Sequence, residues 1–142
     1  QLPGVDCRHG EAALNEALGR CDVLINLLPL TPQTTGVLNR DLFARLRPQA
    51  CLVQVGRGGH LVEADLLAAL DAGQLAGAFI DVFGVEPLPA EHPFWAHPAL
   101  RLTPHVASLS DPVQSAATVI DNIGRAMRGE PLRHAIDRSA GY

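Results

Sequence analysis

Three side chains with chemical capability stand apart in the sequence: Arg57, Glu86 and His105, separated by 29 and 19 residues. An arginine presents a planar fork of N–H donors that fits a carboxylate. A glutamate beside a histidine forms a general acid, because the carboxylate stabilises the imidazolium that gives up the proton. Taken alone, each residue is also consistent with a solvated loop position, so the predicted fold has to decide between the two interpretations.

Strand and helix patterns alternate along the 142 residues. The near-continuous apolar run 22–30, closed by a proline, predicts a strand buried on both faces, and the apolar runs 50–59 and 77–83 predict two more strands. A fourth strand is predicted over 100–103, where leucines alternate with Arg101 and Thr103. Helix-favouring composition with capping residues predicts helices over 11–21, 39–46, 62–73 and 111–129. The alternation predicts an α/β layer structure with a mostly parallel sheet.

Particular residue types mark where the predicted helices begin and end. Asn39 or Asp41 caps the second helix, and Gly73 suits the left-handed position after the third. Asp111, followed by a proline, starts the last helix. The proline-rich segment 84–98 has no regular period and is predicted to be a loop.

The three residues singled out above each follow a different predicted strand, and ligands bind outside the carboxyl ends of strands in such sheets. Arg57 lies in VGRGGH after the second strand, where the glycines leave room for a ligand to approach. Glu86 follows the third strand, and His105 follows the fourth, directly after Pro104. The constellation suits reduction of a 2-keto acid, in which a carboxylate is held while the keto oxygen receives a proton.

Two further strand-end features have open alternatives. Asp81 lies inside the third apolar strand, where a carboxylate needs a partner. It either caps neighbouring backbone N–H groups or forms a hydrogen bond with an amide group of a ligand. The segment LLPLTPQTTG after the first strand is either a simple turn or a ligand-binding loop.

The composition excludes several classes of function. All 11 basic residues are arginine, which excludes Schiff-base chemistry and a phosphate-loop lysine within this segment. With a net charge of −4 there is no basic surface for nucleic acid or an anionic membrane, and no apolar run reaches membrane-spanning length. Cys7, Cys21 and Cys51 have no C-x-x-C spacing. Cys21 and Cys51 adjoin apolar runs, which favours small buried thiols in a reducing cytosol.

The remaining histidines give weaker signals. His92 and His97 are five residues apart and each precedes a proline, which is not the spacing of metal ligands on a helix. We therefore predict no metal site, and a metal-dependent hydrolase that uses these two residues with Asp81 is the weakest alternative. Three others are interpreted as loop residues: His9, His60 and His134.

Four motifs occur in an order that resembles a known family: VGRGGHLVEADLLAAL, GAFIDVFGVEPLP, HPFWAHPALRLTPHVAS and IDRSAGY. They are similar to the D-isomer-specific 2-hydroxyacid dehydrogenase family and, within it, to the bacterial glyoxylate/hydroxypyruvate reductase A branch. The resemblance implies a Rossmann-type dinucleotide-binding domain, of which residues 1–108 are the C-terminal portion. Residues 109–142 would be a C-terminal helix and tail that return toward a substrate domain. That N-terminal substrate domain and the glycine-rich loop are absent from this chain and would precede Gln1.

The resemblance also implies roles for individual residues. Arg57 would bind the substrate carboxylate and polarise the keto group, His105 would donate the proton, and Glu86 would be its hydrogen-bonded partner. Trp95 would lie near the substrate, with a core or interface tryptophan as the alternative. Ala107 stands where many relatives have glycine, which suits the reductase branch. Cofactor contacts would come from Leu28, Pro29, Thr34, Val55, Gly56, Arg57, Asp81 and His105.

The implied activity is NAD(P)H-dependent reduction of a small 2-keto acid, such as glyoxylate or hydroxypyruvate, to the D-2-hydroxy acid by hydride transfer. The reductase branch favours NADPH over NADH, and the family implies a cytoplasmic homodimer without nucleic-acid or membrane partners. An alternative of another class is an NAD(H)-sensing, corepressor-like binding module of the same fold. This segment alone is expected to leave apolar surface uncovered and to be inactive.

Overall fold

A computed structural model describes residues 3–108 and 111–136, and within them the chain forms a four-stranded parallel sheet with helices. The strand order is β1-β2-β3-β4, with β1 Val23–Asn26, β2 Ala50–Gln54, β3 Leu75–Ile80 and β4 Leu100–Leu102. The α-helices are α1 Glu11–Leu18, α2 Arg40–Arg45, α3 Glu63–Asp71 and α4 Pro112–Met127. Two 3-10 turns are Gly58–His60 and Pro93–Ala96. The predicted α/β fold with a parallel sheet is confirmed.

The hydrophobic core joins the sheet to helices α2 and α3. Ala50, Leu52 and Gln54 of β2 are buried, while Cys51 and Val53 between them are only half-buried, so one face of the sheet is covered more deeply. The two helices contribute Leu42, Phe43, Leu66 and Leu70 to the core. Each such side chain stabilises the fold by about 1.5–3 kcal/mol when it is fully buried. This packing holds the strand ends in place.

The first strand departs from the prediction for 22–30 in both length and burial. β1 ends at Asn26, whose side chain turns inward and whose Oδ1 accepts the Leu28 N–H (3.2 Å). Val23 and Ile25 are 50% and 56% exposed, because β1 is the edge of the described sheet and nothing in the described part of the chain covers them. The prediction of a strand buried on both faces is therefore wrong for this segment.

The predicted helix boundaries lie within two residues of the observed ones for α2, α3 and α4, whereas α1 ends at Leu18, three residues before the predicted end at 21. The Asn39 side chain caps α2 by accepting the Leu42 N–H (3.1 Å), and Asp111 caps α4 by accepting the Val113 N–H (2.8 Å). Gly73 follows α3 with a φ of +69°, as predicted. The capping side chains bond to N–H groups that have no partner within the helix, which fixes where each helix begins.

Two segments differ from their sequence assignments. β3 ends one residue before Asp81, so this carboxylate lies at the end of the strand rather than inside it. The segment 84–98 is not wholly irregular, since Pro93–Ala96 form a 3-10 turn. The ring Nδ1 of His92 caps that turn by accepting the Phe94 N–H (3.3 Å).

Helix α4 presents an apolar face to solvent. Val113, Ile120 and Met127 are 77%, 69% and 84% exposed. The expectation that the chain leaves apolar surface uncovered is confirmed. In the part of the chain that the structure describes, no helix combines the length and apolarity needed to cross a membrane.

The three cysteines are free thiols that differ in exposure. Cys7 is exposed, whereas Cys21 and Cys51 are half-buried rather than buried as predicted. Cys51 lies on the less covered face of β2, which explains its exposure. Cys21 packs against the core, and burial raises the pKa of its thiol.

Gly58 lies so close to the loop after β3 that a Cβ atom there would be 1.8 Å from the Phe83 carbonyl oxygen. We expect Gly58→Ala to lower the free energy of unfolding by about 1–3 kcal/mol, since backbone atoms must move to admit the methyl group. Gly59→Ala is the matched control, because its nearest neighbour is the flexible Leu30 side chain, at 3.1 Å. Urea unfolding of the complete gene product measures both variants, and equal losses would contradict this explanation.

Candidate active site

The turn that carries His105 is built around the buried carboxylate of Asp81. Asp81 is 1% exposed, and its carboxylate accepts hydrogen bonds from the Thr103 hydroxyl and from the N–H groups of Val106 (2.9 Å) and Ala107 (3.0 Å). Its carbonyl oxygen accepts the His105 N–H (2.8 Å). Burial opposes ionisation of Asp81, but these hydrogen bonds outweigh it and lower its pKa. Asp81 thus has the contacts of a structural cap, and a contact with a nicotinamide amide stays a prediction.

His105 has an uncommon backbone conformation, with a φ of +55° in the left-handed region. Its ring Nδ1 lies 2.8 Å from Glu86 Oε2, and the other oxygen of Glu86 accepts the Phe83 N–H (3.0 Å). The hydrogen bond to His105, followed by that from Phe83, lowers the pKa of Glu86, so this group is a carboxylate at neutral pH. The Nδ1 proton is therefore directed at Glu86, which leaves Nε2 to exchange a proton with a ligand.

A cavity of about 520 Å³ opens beside this pair, and we call it the His105 cavity. Glu86, Trp95 and His105 all line it, together with apolar residues between 83 and 104. Trp95 is 57% exposed, and its indole N–H donates to the Pro89 carbonyl (2.8 Å). This exposure excludes a core tryptophan, while its role toward a substrate stays a prediction.

Arg57 lines a second open cavity of about 640 Å³, which we call the Arg57 cleft, after β1 and β2. Arg57 is exposed and donates to the Gly56 carbonyl (2.7 Å) through one of its nitrogens. Within residues 3–108 and 111–136, no carboxylate forms an ion pair with it. Its other N–H donors are therefore available to a carboxylate ligand.

Four residues that were predicted to contact a cofactor share the Arg57 cleft. They are Leu28, Pro29, Val55 and Gly56. Thr34 does not line it, since its hydroxyl donates to the Pro29 carbonyl (2.7 Å) and accepts the Thr31 N–H (2.8 Å). Thr34 therefore shapes the loop that carries the cleft wall. The structure divides the predicted site between two cavities, with Glu86, Trp95 and His105 in the other one.

The glycines around Arg57 allow close packing rather than ligand access. A Cβ atom at Gly56 would lie 2.9 Å from His60 Nδ1, and one at Gly58 would overlap the backbone of Phe83. The interpretation that these glycines leave room for a ligand is therefore wrong, because protein atoms fill that space. Their absence of side chains instead brings the Arg57 loop against the loop that lines the His105 cavity.

A buried polar network beneath Arg57 was not foreseen from the sequence. Asn26, Gln54 and His60 are 4%, 0% and 0% exposed. Asn26 Nδ2 donates to Gln54 Oε1 (2.7 Å) and to His60 Nδ1 (3.0 Å). Gln54 Nε2 donates to the Arg57 carbonyl (2.8 Å), and His60 Nδ1 also accepts the Arg57 N–H (3.1 Å). The loop assignment of His60 is wrong, since it ends a 3-10 turn and is buried with partners for its ring nitrogens.

The residues considered as metal ligands have separate partners. His92 Nε2 lies 3.1 Å from Glu63 Oε2, and His97 Nε2 lies 3.4 Å from Asp71 Oδ1. Asp81 belongs to the His105 turn. Among the residues that the structure describes, no three His, Cys, Asp or Glu side chains gather as metal ligands would. The geometry gives no support to a metal-dependent hydrolase.

Replacing the Asp81 carboxylate tests whether it holds the His105 turn. Asp81→Asn places an amide N–H against N–H donors, and we expect the free energy of unfolding at pH 7 to fall by about 1–3 kcal/mol. Because the pKa of Asp81 is lowered in the folded protein, its stabilisation is complete above the ordinary aspartate pKa and is lost as the pH falls through the lowered value. The difference between wild type and variant should therefore shrink below about pH 4.

The control is Asp22→Asn, which removes an exposed carboxylate that pairs with Arg47 at the surface. Urea unfolding of the complete gene product between neutral and acidic pH measures both variants. A loss in Asp81→Asn that does not vary with pH, or one no larger than in the control, would contradict the assignment of this carboxylate as the organiser of the turn.

Comparison with known proteins assigns the chain to a family. Residues 6–107 match the family model described as D-isomer specific 2-hydroxyacid dehydrogenase, NAD binding domain. The chain is 47% identical over 142 residues to a glyoxylate/hydroxypyruvate reductase A from Photorhabdus laumondii, and 46% identical over 140 residues to one from Klebsiella pneumoniae. These alignments cover 100% and 99% of this chain but 45% of each relative. The chain thus spans about half the length of the curated relatives it matches.

Solved structures show the same fold. A D-isomer specific 2-hydroxyacid dehydrogenase from Xanthobacter autotrophicus Py2, in complex with NADPH and MES, matches with a TM-score of 0.96 and 42% identity over 100% of this chain and 59% of that one. An NADPH-dependent glyoxylate/hydroxypyruvate reductase from Sinorhizobium meliloti, in complex with NADP and sulfate, matches with a TM-score of 0.89 and 45% identity over 94% and 44%. The sheet is therefore Rossmann-type, and the chain belongs to the D-isomer specific 2-hydroxyacid dehydrogenase family, in its NAD-binding domain.

Proposed function

We propose that this chain supplies the proton donor, the carboxylate-binding residue and part of the cofactor site of an NAD(P)H-dependent reductase of small 2-keto acids, such as glyoxylate or hydroxypyruvate. The observation that carries the proposal is the 2.8 Å hydrogen bond between His105 Nδ1 and Glu86 Oε2 beyond the carboxyl ends of a parallel sheet. Arg57 supports it, since no carboxylate of the described residues pairs with its guanidinium, as do relatives of 46–47% identity that are named as reductases of these acids.

The Arg57 cleft suits one face of a nicotinamide ring. Leu28, Pro29 and Val55 give it apolar walls, and Gly56 also lines it. When bound, the reduced nicotinamide supplies the hydride that the keto carbon accepts. The two similar structures from Xanthobacter and Sinorhizobium are complexes with NADPH and NADP, which supports NADPH as the cofactor here.

Side chains of this chain would bind the substrate carboxylate and supply the proton for the keto oxygen. Arg57 holds the substrate carboxylate with the N–H donors that the Gly56 carbonyl leaves free. His105, as an imidazolium, gives its Nε2 proton to the keto oxygen and keeps its Nδ1–H on Glu86. Because its pKa is lowered, Glu86 is ionised and stabilises the cationic ring. One keto acid, one hydride and one proton give the D-2-hydroxy acid, and His105 regains its proton from solvent.

We also propose that the two ends of the chain belong to different parts of a larger protein. Residues 1–108 would belong to the nucleotide-binding domain, and residues 109–142 would return toward the part that completes the substrate site. The exposed apolar face of α4 supports this division, since such a face needs a cover. A cytoplasmic homodimer is proposed on the family resemblance alone.

His105→Asn tests the proton donor, because asparagine tolerates a left-handed φ and has no titratable proton to give. We expect kcat for glyoxylate and NADPH to fall by about 10²–10⁴-fold, with little change in KM. His134→Asn is the matched control, since His134 is also exposed and also has a φ of +55°. NADPH oxidation by the complete gene product measures both variants.

An unchanged kcat in His105→Asn would show that another group donates the proton. A wild-type protein that binds the nucleotide without multiple turnover of either keto acid would instead favour the corepressor-like sensing module. The control variant is expected to retain the wild-type kcat, because His134 lines neither the His105 cavity nor the Arg57 cleft.

A further inference from the structure

We infer that His60 is a positioning residue that ties together the two lips of the Arg57 cleft, an inference that rests on the proposed function. The first lip is Leu27–Leu30 and the second is Val55–Arg57, and both line the cleft. His60 Nδ1 accepts the Arg57 N–H (3.1 Å), and His60 Nε2 lies 3.2 Å from the Pro29 carbonyl oxygen. One buried imidazole therefore spans from lip to lip.

A single arrangement of hydrogens satisfies this ring. Nδ1 faces two donors, the Arg57 N–H and Asn26 Nδ2, so it is an acceptor without a hydrogen. The Asn26 amide is oriented by its Oδ1, which accepts the Leu28 N–H. Nε2 faces the carbonyl of Pro29, so it carries the hydrogen and donates it. His60 is thus a neutral imidazole with its hydrogen on Nε2.

The side chains of the other two members of the buried network each reach one lip, and the backbone carbonyl of Asn26 also accepts the Val55 N–H of the second lip (3.4 Å). Asn26 accepts from Leu28 on the first lip, and Gln54 donates to the Arg57 carbonyl on the second. Of the three side chains, His60 alone has hydrogen bonds to both lips within the described residues. The imidazole ring therefore joins the two lips alongside the backbone hydrogen bond between Asn26 and Val55.

This bridge has a consequence for the proposed reaction. The first lip forms part of the nicotinamide wall, and the second lip carries Arg57, which holds the substrate carboxylate. His60 touches neither reactant and acts through Arg57 and Pro29. A misplacement of about 1 Å between reacting groups costs on the order of 10²-fold in rate. At 0% exposure, His60 is shielded from water that would otherwise compete for its hydrogen bonds.

Two conservative substitutions of His60 each remove one of the two hydrogen bonds that join the lips. His60→Asn keeps an acceptor near the Nδ1 position and removes the donor to Pro29, whereas His60→Gln keeps a donor near Nε2 and removes the acceptor for Arg57. In the complete gene product, we expect His60→Gln to raise the KM for glyoxylate about tenfold with little change in the Kd for NADPH. We expect His60→Asn to raise the Kd for NADPH about tenfold with little change in the KM for glyoxylate.

His97→Asn and His97→Gln are the matched controls. The His97 side chain is 13% exposed, its Nδ1 accepts the Ala99 N–H (3.2 Å), and its Nε2 pairs with Asp71. It lines neither cavity, so neither control should change KM or Kd. If both His60 variants change both constants equally, in proportion to a lower Tm, the role of His60 is purely structural and the inference is overturned.

Two readouts that need no turnover keep this test separate from the proposed function. Nitrogen-15 NMR of the wild-type imidazole should find the hydrogen of His60 on Nε2, and a hydrogen on Nδ1 would overturn the inference. Amide hydrogen exchange at Arg57 should be faster in His60→Gln than in His60→Asn, and equal rates would also overturn it. If both readouts are as expected and the wild type turns over no keto acid, the proposed function fails while the bridge stands.

Discussion

Asp81 accepts hydrogen bonds from Thr103, Val106 and Ala107 through its carboxylate and from His105 through its carbonyl, and the presentation of His105, the proposed proton donor, depends on these four bonds. They are available because β3 and β4 are parallel neighbours, so the turn after β4 lies over the end of β3. The left-handed φ of His105, a conformation that costs roughly 1–3 kcal/mol in a residue other than glycine, is held by them. A buried carboxylate thereby fixes a histidine that is itself exposed.

The same physical solution recurs one strand away, beneath Arg57. Polar side chains at the ends of β1 and β2, Asn26 and Gln54, are buried and bond to the backbone of the loops that follow. His60 joins the two loops across the cleft. In both halves of the site the loop conformation is fixed before any ligand binds. In the proposed reaction, such preorganisation would reduce the cost of ordering the site on binding and would keep charged donors aimed at the position where charge develops.

The sequence was sufficient to place Arg57, Glu86 and His105 at one edge of the sheet, since apolar runs alternate with helices and parallel strands end together. It was not sufficient to assign burial or contacts. Val23 is apolar, yet half of its surface is exposed. Hydropathy predicts that an apolar side chain will be covered, but it does not show which segment of the protein will cover it. His60 follows two glycines and suggests a loop residue locally. In the folded chain its ring bonds to Asn26, which also bonds to Gln54. Polar residues that close apolar strands were a usable sign of such buried partners.

The central claim is that Arg57 and His105, which line different cavities here, act on one bound keto acid. The most direct test is a crystal structure of the complete gene product with NADPH and oxamate, a non-reacting analogue of the keto acids. The account predicts the oxamate carboxylate on the Arg57 guanidinium, its amide oxygen within hydrogen-bond distance of His105 Nε2, and the nicotinamide in the Arg57 cleft. Oxamate bound without contact to either residue, or a nicotinamide outside that cleft, would contradict it.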